Sequence, residues 1–404
     1  MPRWFRGSLR KVTFRIREKT DSMTDVAVVA CATYDRIAVR AAVEEAVGAV
    51  GGLDFVKPDM RIGLKVNLVA AAAPEKAVTT HPAVIGALCD MLRERGATVV
   101  IGDSPGGLYT ASYVGRIYRA AGLEPLCTDG VSLNADFGTA QADFPQAKTA
   151  RHFTYTSWLS SVDAVIDVCK LKTHGMMGMS CAAKNLFGTV PGTVKPEYHF
   201  RFPSYEEFAD MIVDLNDYFH PVLSLCDAVD GMEGNGPTAG TPRHIGCVLA
   251  SRSPHALDLV AASLIGLTKE NVPTLAAAFA RGYIPAAPEE LHLYGDPAAY
   301  RVPDYKNVAV RHSLGFRGTS DSVLKNIFGG VAQAALSARP KLKRSLCVGC
   351  NLCGKICPAS AITIRQGKAE IDRNKCIRCF CCQEFCPKGA MKVHRTWIAR
   401  LLTK

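Results

Sequence analysis

At 404 residues the chain is too long for one small module and suits two or three domains. With 48% hydrophobic and 21% charged residues its balance is globular, which excludes dominant disorder; no run of 18 apolar residues exists, which excludes a transmembrane helix. The net charge of +11 sits at the two ends, residues 1–22 and 339–404, around an acidic middle, and without interleaved aromatics or a binding motif it does not make a nucleic-acid binder.

Residues 1–24 read as a basic N-terminal extension. No apolar segment follows to make a secretory signal, and Met23 opens a more conventional start, so residues 1–22 are either a flexible arm or no part of the native protein. Residues 25–32 pattern as a buried strand, and Asp35 caps a helix with apolar Val39, Val43 and Val47. A second strand covers 60–67, a helix 83–95, and a third strand 97–102 runs into Asp103-Ser-Pro-Gly-Gly107. Strand 162–169 runs into a long loop. Further strands are expected near 222–226 and 245–250, with helices near 204–219, 255–265 and 273–281. Strands alternating with 10–15-residue helices imply an α/β body over residues 25–320 with a largely parallel sheet. In such sheets the loops after strand C-termini build the site.

Four post-strand loops are candidates. The first offers Lys65 and Asn67 and the second Asp103. The third holds Lys170, Lys172, His174, Lys184, Asn185, Lys195 and His199, with seven Lys, Arg or His residues and the single acid Glu197 in 170–201. These charges alternate with Met176, Met177, Met179, Leu186, Phe187 and several glycines. A solvated surface seldom mixes this way, whereas pockets combine apolar walls with a few convergent polar groups. A bound carboxylate, phosphate or enolate-like anion would relieve the crowded cations, and a Lys whose pKa falls among them could serve as an acid or base. In the fourth loop, 227–240, the stretch Gly231–Gly240 could wrap a phosphate through backbone N–H groups or its glycines could serve conformation alone, and Asp227, Asp230 and Glu233 could hold a cation. Cys169 and Cys181 read as small buried residues rather than ligands.

Residues 321–337 pattern as a helix within a 321–344 connection, and 394–404 as a basic amphipathic tail that docks on the protein's own surface or on a membrane. Between them lies the densest signal. Nine of the sixteen cysteines fall within 347–386. They form Cys347-x2-Cys350-x2-Cys353-x3-Cys357-Pro and, 29 residues on, Cys376-x2-Cys379-x2-Cys382-x3-Cys386-Pro. This is the bacterial-type spacing for two [4Fe–4S] clusters, in which the fourth cysteine of each run serves the other cluster. Cys347, Cys350, Cys353 and Cys386 then hold one cube, and Cys376, Cys379, Cys382 and Cys357 the second. Zinc sites also use Cys-x-x-Cys pairs, but rarely three evenly spaced cysteines followed by Cys-Pro. Cys381 breaks no spacing and reads as a packing residue. Residues 361–364 and 369–372 alternate around Gln366-Gly367 as a hairpin, so 345–393 resembles a bacterial two-cluster ferredoxin of small α+β type. The remaining seven cysteines are scattered and unpaired in sequence, the usage of a reduced, cytoplasmic protein.

Leu64-Lys-Val-Asn67, Gly102-Asp-Ser-Pro-Gly106, Cys169-Lys-Leu-Lys-Thr-His174, Ala183-Lys-Asn-Leu-Phe-Gly188 and residues 227–240 together resemble the DUF362 family, which often carries this C-terminal ferredoxin module. The resemblance implies an iron–sulfur protein with an α/β body and implies no substrate. The expectation is a ferredoxin-fused oxidoreductase that exchanges electrons with a soluble donor or acceptor and relays them to an anionic small molecule. Lys170, Lys172, His174, Lys184 and Asn185 would orient and protonate it, with Lys65, Asn67, Asp103, Lys195 and His199 as binding residues. A non-enzymatic electron-transfer or assembly subunit and a redox sensor are the alternatives.

Overall fold

The computed structural model describes residues 24–192, 194–308 and 339–394. The expected N-terminal extension, the 321–337 helix and most of the C-terminal tail lie outside the described residues.

The body is built on a mixed sheet whose order, from one edge, is Leu293–Tyr294, Val26–Ala30, Thr241–Ser251, Leu223–Glu233, Ala164–His174, Arg61–Val66, Thr98–Gly102 and Val131–Leu133. Pairing is parallel except where Thr241–Ser251 lies antiparallel to both of its neighbours. The short strand Gly178–Ser180 folds back on Ala164–His174. Helices Arg36–Ala49, Pro82–Arg93 and Ala111–Ala120 pack on one face around Val43, Ile85, Leu88 and Ile117. The Asp35 carboxylate accepts from the N–H groups of Ile37 and Ala38, as its capping role requires. Helix Pro254–Leu264 covers part of the other face, and Tyr205–Phe219 packs beside it over Trp158, Phe153 and Phe187.

Strand Ala164–His174 is buried along all eleven residues. It therefore runs past residue 169, and Lys170, Lys172 and His174 stand on a central strand rather than in a loop. Strand Leu223–Glu233 likewise carries Asp227, Asp230 and Glu233. These acids are already paired: Asp227 with Lys170, Asp230 with His244, and Glu233 with Lys306. The cation-site expectation for them is corrected accordingly. Strand C-termini at 66, 102 and 174 open toward one edge, which brings Lys65, Asp103 and Lys172 together from distant sequence positions.

The C-terminal module has two halves that repeat in structure. Helices Leu352–Lys355 and Cys381–Glu384 lie 29 residues apart, each preceded by a left-handed residue, Asn351 (φ 59°) and Phe380 (φ 60°). Strands Ile362–Arg365 and Lys368–Ile371 form the expected hairpin around Gln366-Gly367, and Arg339–Leu342 pairs with Met391–His394.

The module docks through the loop after Glu233. The Gln383 amide donates to the carbonyls of Asn235 (3.0 Å) and Gly236 (2.9 Å), Thr238 Oγ1 donates to the Glu384 carbonyl, and the Val393 N–H donates to Asn235 Oδ1. Phe380 enters the core formed by Met176 and Met177. The glycine-rich segment thus offers carbonyls to the module, where the sequence suggested amides for a phosphate.

Candidate functional site

A cavity of about 470 Å³ lies where the body meets the module. Its lining includes Asn67, Asp103, Ser104, Lys172, His174, Lys184, Asn185, Lys195 and His199 from the body, and Glu384, Phe385, Cys386 and Pro387 from the module. Eight of the ten body residues singled out in the sequence therefore converge on one space. Lys65 stands behind it and Lys170 outside it.

The floor is a chain of polar contacts. Lys172 Nζ donates to Asn67 Oδ1 and to the Val78 carbonyl, both at 2.7 Å. The Asn67 amide donates to Asn185 Oδ1 (3.0 Å), and the Asn185 amide donates to Asp167 Oδ1 (2.6 Å) and the Lys65 carbonyl (3.1 Å). Lys65 Nζ pairs with Asp103 Oδ1 at 2.8 Å, and Asp103 Oδ2 accepts the Leu68 N–H. Gly188 lies against this ion pair so closely that a Cβ there would overlap Asp103 Oδ1 and Lys65 Nζ. The Lys65–Asp103 charges thus cancel beneath the cavity.

The cations facing the cavity are less well balanced. Lys172 meets only neutral acceptors, and burial, helped by Lys170, brings its ammonium down to about 7. Keeping that proton costs on the order of 5 kcal/mol relative to water. Lys195 Nζ donates to the Ser104 carbonyl and stands over the Phe187 ring; burial also brings it down to about 7. Lys184 lies 4.8 Å over Phe187 and 5.8 Å over Phe208, and burial lowers it as well.

Burial lowers the proton affinity of both histidines. His174 Nδ1 accepts the N–H groups of Met176 and Met177, both at 3.1 Å, which leaves the ring proton on Nε2. That nitrogen sits 2.7 Å from Glu384 Oε1, off the axis of a straight hydrogen bond. His199 stacks on Phe208 at 4.3 Å, is brought down to about 3 by burial, and keeps a buried Nδ1 without a hydrogen-bond partner. Burial pushes the Glu384 carboxyl up, but His174, Lys184 and His199 together outweigh it and hold it at about 2. Glu384 is the one carboxylate the module brings to three cationic or imidazole side chains, and nothing in its sequence context marks it.

Lys170 belongs to another cluster. Its ammonium donates to Tyr34 Oη and Asp227 Oδ2, both at 2.8 Å; Tyr34 donates to Asp227 Oδ1 and stacks on His81 at 3.6 Å. It ties strands Ala164–His174 and Leu223–Glu233 to the loop that follows Val26–Ala30.

The module's cysteines lie along both halves of its repeat. Cys347, Cys350, Cys353 and Cys386 line one small void, although Cys386 is 33 residues from its nearest companion in sequence. Cys376 and Cys382 lie within electrostatic reach of Cys379 and Cys357. The Ala361 N–H donates to Cys357 Sγ and the Ala390 N–H to Cys386 Sγ, both at 3.2 Å. Such N–H···S bonds stabilise the thiolates a four-iron cube needs, so the donor set fits two cubes. Cys381 is buried and its thiol faces Cys379 as a hydrogen-bond donor, consistent with packing. Cys386 borders both its cube site and the cavity.

Residues 62–263 match the family described as "Domain of unknown function (DUF362)", and residues 339–387 match "4Fe-4S dicluster domain". The chain is 29% identical over 276 residues to the thylakoid-associated protein sll1697 of Synechocystis sp., covering 68% of this chain and 84% of that one. Two solved structures share 10% identity with it. The lactate racemase apoprotein from Thermoanaerobacterium thermosaccharolyticum has a TM-score of 0.35 over 56% of each chain. A protein from Thermotoga maritima has a TM-score of 0.32 over 52% of this chain and 54% of that one, so the chain spans little more than half of either structure. Among the described residues no helix is long and apolar enough to cross a membrane.

Proposed function

This chain belongs to the DUF362 family and carries a 4Fe-4S dicluster domain, and from that premise we propose that it is an oxidoreductase that relays electrons from a soluble donor to an anionic small molecule held in the cavity. The supporting observation is the cavity's double lining: Lys172, Lys184, Lys195, His174 and His199 on one wall and Cys386 on the other. When bound, the clusters supply one-electron steps. The chain's own residues do the rest. Lys172 and Lys195 bind the anion and, being near neutral in affinity for their protons, hold protons that can be given up as negative charge grows on the ligand. The free Nδ1 of His199 accepts a hydrogen bond from a protonated group of the ligand. Phe187 and Phe385 exclude water, and Glu384 holds His174 in place. The free thiols of the body suit a reducing, cytoplasmic compartment.

The test uses the anaerobic, cluster-loaded full chain reduced with dithionite and freed of excess reductant. Mixed with small anionic acceptors of the 2-oxo acid, enoate and oxyanion classes, at least one is expected to restore the oxidised cluster absorbance. Lys172→Met should slow that reaction at least tenfold. If no acceptor reoxidises the wild type, or the variant is equally fast, the reading fails.

A further inference from the structure

Outside both the cavity and the module, three cysteine sulfurs meet in the core of the body. Cys169 and Cys226 are register partners on adjacent parallel strands, and Cys181 precedes the short helix Ala182–Asn185. The Cys181 sulfur lies 3.6 Å from Cys169 and 3.4 Å from Cys226, and all three lie within 4.8 Å of one another. At most 1% of any of the three is exposed. They occupy the sheet face opposite Lys170 and Asp227, beside helix Pro254–Leu264.

We propose that Cys169, Cys181 and Cys226 form a site for one thiophilic d10 cation, Zn(II) or Cu(I), separate from the two cluster sites. A tetrahedral ion with bonds of about 2.3 Å spaces its sulfurs roughly 3.8 Å apart, so the two separations from Cys181 need open by only a few tenths of an ångström to seat a metal. All-sulfur donors in a dry, apolar setting select soft cations over Mg(II) or Ca(II). A carboxylate lies beside Cys181. Asp258 faces Cys181, and its carboxylate accepts the N–H groups of Ala182 (2.7 Å) and Ala183 (3.1 Å). Binding is a ligand exchange. Metal–sulfur bonds form, the S–H bonds of the three cysteines break, their protons leave to the buffer, and no electron moves. The site adjoins the cavity floor, because Asp167, two residues before Cys169 on the same strand, holds Asn185.

The test is metal analysis of anaerobic full-length protein with about eight irons per chain, exposed to buffered Zn(II) or Cu(I) and then passed over a chelating resin. Wild type should retain one zinc or copper per chain beyond its iron. Cys226→Ala and Cys169→Ala should retain none while keeping their iron. If Asp258→Asn lowers zinc retention the site is four-coordinate zinc; if it leaves retention intact the three sulfurs suffice, as copper(I) requires, and either result upholds the site. Wild type alone can overturn it: no retained metal beyond iron, or a mass two hydrogens lighter from a disulfide among these thiols, contradicts the proposal even if the variants fail to fold. Neither result bears on whether anions bind the cavity.

Discussion

Lys172 carries the most consequential electrostatics of the site. Its ammonium is buried among an amide oxygen and a carbonyl, neither of which offsets a full charge, so its affinity for a proton drops to about 7. An anion entering the cavity would supply the missing charge and pull the proton back. The sign of the pH effect follows. Below about 7 Lys172 and Lys195 are charged and attract an anion; above it they release protons, and affinity should fall by about tenfold per pH unit for each lysine. Inorganic phosphate, followed by thermal shift or calorimetry between pH 6 and 9, is a suitable probe, and Lys172→Met should flatten the dependence by one lysine's share. In the absence of anion the same lysines bind fewer protons folded than unfolded between about 7 and 10.5, so stability should rise with pH across that window. An affinity for phosphate that rises above pH 7 would contradict this account.

At the scale of elements, strand ends and short helices rather than loops make the site. Periodicity revealed the strand up to Cys169 because its residues are apolar; it hid the continuation to His174 because Lys170, Lys172 and His174 read as a charged loop. Those lysines are strand residues whose ammonium groups find partners distant in sequence, among them Asp227 and Asn67, which no local pattern records. The cysteine runs were legible because metal spacing is local, and so was the hairpin around Gln366-Gly367, whose two left-handed residues suit that turn. Helix Ala111–Ala120 and strand pair Thr139–Asp143 with His152–Thr156 were not foreseen, since the strands are short and largely polar. The seam between body and module was also illegible, because it depends on carbonyls of residues 235–236 meeting Gln383. Gln383→Ala removes two hydrogen bonds to buried carbonyls and should cost about 1–3 kcal/mol at the seam. Faster hydrogen exchange in residues 380–394 with an unchanged body would register it; uniform protection would refute it. The crossed ligation also makes a local prediction. Cys386→Ala should lower iron from about eight to about four per chain and leave the cube held by Cys376, Cys379, Cys382 and Cys357.

For the whole molecule, net charge is a poor guide to how the parts meet. The body from 23 to 338 is acidic and the C-terminal segment strongly basic, yet at the seam the module contributes an acid, Glu384, to a basic pocket of the body. The contact is thus specific where the overall attraction is not, and it closes the cavity with the loop that carries Cys386. The central claim is that an anion in this cavity is felt by the cluster beside it. A potentiometric titration followed by electron paramagnetic resonance, with and without saturating phosphate, measures that directly. The account predicts that phosphate lowers the midpoint potential of one cluster, leaves the other nearly unmoved, and must reach a higher concentration for the same shift in Lys172→Met. Two cluster potentials indifferent to phosphate in the wild type would contradict it.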